Sequence, residues 1–326
     1  MKKVLLLVGP TGVGKTGASL LLAKELGTEI ISADSMQIYR GMDIGTAKPS
    51  QEERAAVAHH MIDIVDPTEP FSTGRYIEMI VPVIEGLHKK GKIPIVVGGT
   101  GLYIKAITRG IFSGPSADWD LREELLSMER EEPGFLYSYL MDRDAGAAEK
   151  IARNDTRRVL RAIEVCLKSR DTMSSLQEEL TKPLPFEFIK IGLIRERKEL
   201  YRIIDGRVDG MINAGLAEEV EKILGMEPDR TPLQAIGYKE LARYFKGEIT
   251  RDEAVRLVKR NSRRYAKRQL TWFRKEEDVT WIDVTGIFHS EELFVMIKAC
   301  LTGFRHEVFS VSGDAKRPVS GKYLNN

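Results

Sequence analysis

Short apolar runs and longer amphipathic stretches alternate along the first hundred residues of the chain. Apolar runs of the length typical of buried strands lie at 4–8, 29–33, 92–97, 188–194 and 279–284. Apolar residues at helical spacing occupy 16–26 and 75–90, between the first three of these runs. Strands that alternate with helices are typical of an α/β fold with a parallel sheet. We therefore predict a parallel sheet with flanking helices.

The middle of the chain has a different pattern. Residues 116–181 are charged and amphipathic at helical spacing, with Pro115 before them and Pro183 after them. We predict a mostly helical insertion at 116–185 between the two parts of a core domain, 1–115 and 186–302. Residues 195–275 are again mostly helical in pattern. The polar stretch 303–326 contains Gly and Ser and is predicted to be a disordered tail.

Composition excludes several classes of protein. At about 150 residues per domain, 326 residues correspond to about two domains. Fifty Lys and Arg against 48 Asp and Glu give a net charge of only +2, which excludes a uniformly basic, histone-like protein. The two cysteines, Cys166 and Cys300, are too few for a disulfide framework. No apolar stretch approaches the ~20 residues of a membrane span. We expect a cytoplasmic protein with no membrane partner.

A glycine-rich loop follows the first predicted strand. Its sequence fits the pattern G-x-x-x-x-G-K-[ST] through Gly9, Pro10, Thr11, Gly12, Val13, Gly14, Lys15 and Thr16. Backbone amides at the start of the following helix, together with its dipole, favour a phosphate there. Lys15 adds a positive charge, and the Thr16 hydroxyl is a candidate Mg²⁺ ligand. The loop predicts a site for a diphosphate or polyphosphate.

Only one acidic residue follows a predicted strand near this loop. Asp34 comes directly after the second strand, whereas the third ends in Gly98-Gly99-Thr100-Gly101. In a parallel sheet these strand ends open into one crevice. The site would then offer Asp34, Lys15 and the hydroxyls of Thr16, Ser35 and Thr100. Such a set leaves open a kinase, a nucleoside triphosphatase or an enzyme whose leaving group is diphosphate.

Positive charge concentrates near the end of the chain. Residues 251–275 contain ten Lys or Arg and only two acids. Seven of the ten have spacings that predict one helix face: 256, 259, 260, 263, 264, 267 and 268. We interpret this face as a stripe that follows RNA phosphates, the alternative being a solvated helix face. Acidic pairs such as Glu218-Glu219 are interpreted as exposed helix faces.

Six blocks of sequence resemble the bacterial tRNA dimethylallyltransferase family. After the phosphate loop they read DSMQIYRGMDIGTAKP at 34–49, HHMIDIVDP at 59–67, GGTGLY at 98–103, NDTRR at 154–158, QAIGYK at 234–239 and RQLTWF at 268–273. With the phosphate loop they run in order from residue 9 to 273, a span that includes most of the chain. The resemblance implies a P-loop NTPase-like fold and transfer of a dimethylallyl group from dimethylallyl diphosphate to N6 of adenosine 37, beside the tRNA anticodon. Diphosphate is the second product, and Mg²⁺ the expected cofactor.

The resemblance also implies roles for individual residues. Asp34 would act as general base, with Lys15, Thr100 and Arg207 completing the catalytic set. The target nucleotide would contact Asp34, Ser35, Met36, Gln37 and Thr100, and Gln37 is suited to reading an adenine edge. Further contacts with the anticodon stem-loop are expected from Arg122, Arg157, Arg158, Arg161, Arg260 and Arg264. The insertion would act as a lid that grips the tRNA, and we expect a monomer.

Two other functions compete with this one. A small-molecule kinase of the same fold would use Asp34 to activate an alcohol, with ATP in the phosphate loop. An RNA-binding module with a vestigial loop would have no turnover. The basic helix argues against the kinase, because a kinase for a small metabolite has no use for it.

Overall fold

The computed structural model describes residues 2–112, 114–169 and 171–302, so the predicted tail at 303–326 lies outside the described residues. These residues form two compact units. The first comprises the described residues up to Phe71, Met79–Gly101 and those from Phe186 onward. The second comprises Ser72–Glu78 and Leu102–Pro185. None of the helices in the described ranges is long and apolar enough to cross a bilayer.

A parallel six-stranded sheet forms the centre of the first unit, which confirms the predicted α/β class. The strand order is β3-β2-β4-β1-β5-β6. The strands are β1 (Lys3–Val8), β2 (Ile30–Ala33), β3 (His59–His60), β4 (Ile95–Gly98), β5 (Glu187–Ile194) and β6 (Val279–Asp283). The helices are α1 (Lys15–Glu25), α2 (Gln51–Ala56), α3 (Thr73–Lys89), α4 (Gly101–Arg109), α5 (Trp119–Glu131), α6 (Phe135–Arg143), α7 (Ala145–Lys150), α8 (Thr156–Ser169), α9 (Met173–Leu180), α10 (Arg197–Asn213), α11 (Leu216–Leu224), α12 (Tyr238–Phe245), α13 (Arg251–Phe273) and α14 (Ser290–Thr302).

Two strands differ from the sequence prediction. The run at 92–97 becomes a strand only from Ile95, because Pro94 has no N–H to donate to a ladder and only accepts, from the amide of Leu5. The two-residue strand β3 was not predicted. It pairs with β2 at the edge of the sheet, and it is too short to leave a hydrophobic pattern.

The register of the sheet brings the ends of three strands together. Gly98 of β4 pairs with Val8 of β1 on one side and with Ala33 of β2 on the other. The phosphate loop, Asp34 and Gly99 therefore begin at one edge of the sheet. A Cβ on Gly98 would lie 2.2 Å from the carbonyl oxygen of Ala33, so this close approach requires glycine.

The second unit is helical and has a core of its own. Helices α5 to α8 bury Leu136, Leu140, Val159 and Ile163 together. The sequence predicted an insertion over 116–185 in this part of the chain, and the division into domains with a lid function stays a prediction.

Candidate active site

The phosphate loop lies between β1 and α1, where its pattern predicts it. Gly14 is the N-cap residue of α1 and lies in the left-handed region, with φ of 106°. The Lys15 side chain turns back over the loop and donates hydrogen bonds of 2.8 Å to the carbonyl oxygens of both Gly9 and Pro10. Thr16 is exposed at the start of the helix. The loop thus has the geometry of an anion cradle at a helix N-terminus.

Arg207 of α10 joins this cradle. Its Nη1 donates a 3.1 Å hydrogen bond to Oγ1 of Thr11. Burial lowers the pKa of the Arg207 guanidinium. Burial, and then the charge of Arg207, lower the pKa of Lys15 to about 7. The Asp34 carboxylate opposes both shifts, so two partly desolvated cations and one carboxylate interact here. An anion bound in the cradle would stabilise both cations.

Asp34 lines the same cavity as Lys15, Thr16 and Arg207, a space of about 290 Å³. Its Oδ1 accepts hydrogen bonds from the backbone amides of Met36 (2.8 Å) and Gln37 (3.3 Å). No described residue forms a hydrogen bond with Oδ2 in the structure. One oxygen of Asp34 therefore fixes the local turn, and the other is available to a ligand.

Thr100 is bonded to the turn after Asp34. Its Oγ1 accepts a 3.0 Å hydrogen bond from the amide of Ser35, and its own amide donates to the carbonyl oxygen of Ala33 (3.1 Å). Thr100 and Ser35, from neighbouring strand ends, are thus bonded to each other beside Asp34. The structure brings together the predicted catalytic set of Asp34, Thr100, Lys15 and Arg207 in the first unit.

The amide of Gln37 is occupied by other protein groups. Its Oε1 accepts from the hydroxyl of Ser32 (3.0 Å), and its Nε2 donates to the carbonyl oxygens of Thr46 (3.3 Å) and Ala47 (3.4 Å). A bidentate contact with an adenine would have to replace these bonds. The contact of Gln37 with the target base stays a prediction.

The interpretation of Glu219 as an exposed acid is wrong. Its side chain is buried and accepts hydrogen bonds from the amides of Asp43 (2.9 Å), Ile44 (2.8 Å) and Gly45 (3.0 Å). The Tyr238 hydroxyl also donates to it. The carboxylate thereby fixes the loop at 43–45, and the next two residues, Thr46 and Ala47, accept the hydrogen bonds of Gln37. A signal was present in the sequence, because Glu219 shares its helix face with the apolar Leu216, Val220 and Ile223.

Helix α13 contributes two residues that sequence reasoning did not place at the site. Gln269 accepts a hydrogen bond from the amide of Thr11 (2.9 Å) and donates one to the carbonyl oxygen of Gly99 (2.9 Å). Tyr265 interacts with the side chains of Thr100 and Gln269, and burial together with the charge of Asp34 raises the pKa of its hydroxyl to about 12. In the sequence, Gln269 belongs to the block at 268–273, but neither its spacing nor that of Tyr265 indicates a place beside the phosphate loop.

The predicted basic stripe on α13 is shorter than its sequence suggests. Arg256 pairs with Glu253 of the same helix, while Lys259 and Arg263 pair with Asp209 and Asp205 of α10. The four others have no salt bridge to any described residue: Arg260, which is half-buried, and the exposed Arg264, Lys267 and Arg268. On this stripe, positive charge without a salt bridge to a described residue is therefore concentrated around Arg264.

The four arginines of the second unit that were predicted to contact tRNA divide into two pairs. Arg122 and Arg161 both bind the carboxylate of Glu164, which is fully buried; Arg122 does so through bonds of 3.0 and 2.8 Å. Arg157 and Arg158 are exposed on α8, and Arg158 lies 3.4 Å from Asp155. Arg122 and Arg161 thus have a structural task that the sequence did not indicate. The tRNA contacts of all four stay predictions.

Relatives identify the chain by sequence. Residues 37–276 match the family model described as IPP transferase. The tRNA dimethylallyltransferase of Thermodesulfovibrio yellowstonii is 54% identical over 313 residues, which cover 94% of this chain and 99% of that relative. The tRNA dimethylallyltransferase of Bacillus subtilis is 48% identical over 285 residues, which cover 86% of this chain and 91% of the relative.

Solved structures agree with the sequence relatives. The tRNA isopentenylpyrophosphate transferase of Bacillus halodurans is 41% identical with a TM-score of 0.70, covering 95% of this chain and 99% of that one. A eukaryotic dimethylallyltransferase acting on tRNA is 29% identical with a TM-score of 0.76, covering 93% and 80%. The predicted P-loop NTPase-like class and the resemblance read from the sequence are confirmed, and the chain belongs to the IPP transferase family.

Proposed function

We propose that this enzyme transfers a dimethylallyl group from dimethylallyl diphosphate to N6 of adenosine 37 in tRNA and releases diphosphate. The observation that carries the proposal is that Asp34 shares one cavity with the cradle of Lys15 and Arg207. A general base thus lies beside a site for an anionic leaving group. Membership of the IPP transferase family supports the same reaction.

The cradle would hold the diphosphate and stabilise it as it leaves. Rupture of the allylic C–O bond places the bonding electrons on the diphosphate oxygen. Lys15, Arg207 and the amides at the start of α1 provide fixed positive charge at that point, in a partly desolvated cavity. Both side chains and the amides are in place before the substrate arrives, and a bound diphosphate favours the charged form of Lys15, so little reorganisation is needed during the reaction.

A divalent cation would fit this site if it binds together with the diphosphate of the substrate. No group of three or more His, Cys, Asp or Glu in the described residues has the arrangement of a metal site. Mg²⁺ needs few protein ligands, because it retains waters and takes oxygens from phosphates. Thr16, exposed at the end of the cradle, is the residue that would hold it. When bound, Mg²⁺ would neutralise charge on the diphosphate.

Asp34 would accept the proton that the adenine amine loses. As the N6–C bond forms, the nitrogen becomes positively charged, and one N–H proton passes to the Asp34 carboxylate. The bonds from Met36 and Gln37 hold Oδ1, so the carboxylate needs no new backbone contact to act. Such a base contributes ~10²–10⁴ in rate. Thr100, bonded to Ser35, would position the nucleotide or the diphosphate beside it.

Exposed arginines would bind the anticodon stem-loop. The exposed Arg264 and the half-buried Arg260 of α13 are candidates in the first unit, and the exposed Arg157 and Arg158 of α8 in the second. RNA binding through such residues is strongly dependent on salt. We propose that the second unit grips the RNA as a lid, and that the enzyme acts as a cytoplasmic monomer.

Incubation with tRNA, Mg²⁺ and labelled dimethylallyl diphosphate tests the function. We expect label in a single modified adenosine on nucleoside analysis, and none in a transcript that carries guanosine at position 37. A parallel arm replaces the donor by γ-labelled ATP and a set of small alcohols. Label from ATP but none from dimethylallyl diphosphate would establish the kinase instead. RNA binding without any transfer would establish the RNA-binding module.

A further inference from the structure

Gln269 is the side chain that joins the two walls of the cavity. It is only 6% exposed and reaches the end of the sheet from α13. Its Oε1 accepts from the amide of Thr11 in the phosphate loop, and its Nε2 donates to the carbonyl oxygen of Gly99 after β4, both at 2.9 Å. A buried amide with donor and acceptor both used is held in one orientation.

Each of these two bonds leads directly to the reacting groups. On one side, Thr11 accepts the hydrogen bond of Arg207 through its hydroxyl. On the other side, Gly99 precedes Thr100, which binds the turn after Asp34 through Ser35. The two walls carry the leaving-group site and the base. Gln269 connects them through one rigid group of atoms.

The sequence of the third strand end accommodates this amide. A Cβ at Gly99 would lie 2.2 Å from Nε2 of Gln269, a distance that real side chains do not reach. Glycine at 99 therefore leaves room for the Gln269 amide, as glycine at 98 leaves room for β2. The close approach at Gly99 involves the same Nε2 atom that donates to the Gly99 carbonyl oxygen, so backbone and amide are in contact at this point.

We propose that Gln269 is a positioning residue that sets the spacing between the diphosphate cradle and the strand ends that carry Gly99 and Asp34. The inference rests on the proposed function and extends it. Gln269 acts through Thr11 and Gly99, and its contribution belongs to the transfer step. Substrate binding through the exposed arginines of α13 does not depend on it. Small displacements of reacting groups cost up to about 100-fold in rate.

Gln269→Glu is the main test, because it keeps the size of the side chain and the acceptor for Thr11. It removes the donor and places an oxygen against the carbonyl of Gly99. We expect the single-turnover transfer rate to fall about 10–100-fold, with the KM for tRNA changed less than about twofold. Gln51→Glu, at an exposed position at the start of α2, is the matched control and should transfer at the wild-type rate.

Gly99→Ala and Gln269→Ala form a second test that does not depend on the charge of Glu. The Cβ of alanine at 99 would clash with the Gln269 amide, and this clash is absent when Gln269 is replaced by alanine. The double variant should therefore lose less activity than the product of the two single losses. Additive losses would overturn the proposal, as would a Gln269→Glu rate equal to that of the control.

The two inferences fail in different ways. Wild-type enzyme that does not prenylate tRNA contradicts the proposed function before any variant is made. If the wild type is active while Gln269→Glu lowers the transfer rate, raises the KM for tRNA and lowers the melting temperature together, Gln269 is a general structural residue. That result overturns the positioning role and leaves the function intact.

Discussion

Lys15 and Arg207 share one cavity, and the Arg207 guanidinium adds to burial in lowering the pKa of the Lys15 ammonium to about 7. The ordinary value is 10.5, so part of the Lys15 population is neutral at neutral pH. A bound diphosphate supplies the opposite charge and raises this pKa again. Anion binding is therefore coupled to protonation of Lys15.

Binding of inorganic diphosphate should take up a proton at Lys15 when the pH is above about 7. Protons are taken up and not released because, above this pH, Lys15 is mostly neutral in the free enzyme and mostly protonated in the complex. Affinity should thus weaken as the pH rises through this value. Calorimetry in two buffers of different ionisation enthalpy measures the uptake. Lys15→Arg is the control, because its guanidinium does not titrate; equal uptake by both proteins would contradict the prediction.

Asp34→Asn should slow dimethylallyl transfer by ~10²–10⁴ while tRNA binding is retained. The amide oxygen of Asn can still accept from the backbone of Met36 and Gln37, so the turn is preserved. Only the capacity to take a proton is lost. Rates under single turnover and filter binding of tRNA measure the two effects. Asp142→Asn, at an exposed position of α6, should behave as wild type. A tenfold or smaller loss in Asp34→Asn would argue against a general base there.

Neutralising Arg264 should lower the salt slope of tRNA binding by ~0.7–0.9, the amount expected for one phosphate contact. The combination with Arg260→Gln should lower it further. Lys259→Gln is the comparison, because Lys259 already pairs with Asp209 at 2.6 Å and should change the slope much less. The measurement is the dissociation constant at several salt concentrations. Equal slopes in the wild type and in Arg264→Gln would remove this residue from the RNA interface.

Local sequence patterns predicted the elements that carry the site. Val4 to Val8 are all buried, as expected for an apolar strand in a parallel sheet that helices cover on both faces. The phosphate loop and Asp34 follow their strands directly, so the parallel register alone brings them to one edge. These features depend on neighbours in the chain, and a single sequence contains that information.

The remaining parts of the site depend on partners far away in the chain. Gln269 contacts Gly99 and Thr11 across 170 and 258 positions, and neither contact produces a periodic signal. The basic residues of α13 looked equivalent because their spacing is regular, whereas the acids of α10 distinguish Lys259 and Arg263 from Arg264. Charge pairing between helices is set by packing, which composition and spacing do not specify.

Arg122→Met should destabilise the enzyme by ~3 kcal/mol, because it leaves the buried Glu164 carboxylate with less compensation. Arg161 and the amide of Asp118 would still contact that carboxylate, so the fold should survive. Arg157→Met, on the exposed face of α8, should change the stability by less than ~0.5 kcal/mol. Urea denaturation of both variants gives the free energies of unfolding. The affinity for tRNA is measured without urea, where both variants are folded. A loss of affinity in Arg157→Met but not in Arg122→Met would separate the RNA contact from the structural ion pair. The opposite result would place Arg122 at the RNA in addition to its bond with Glu164.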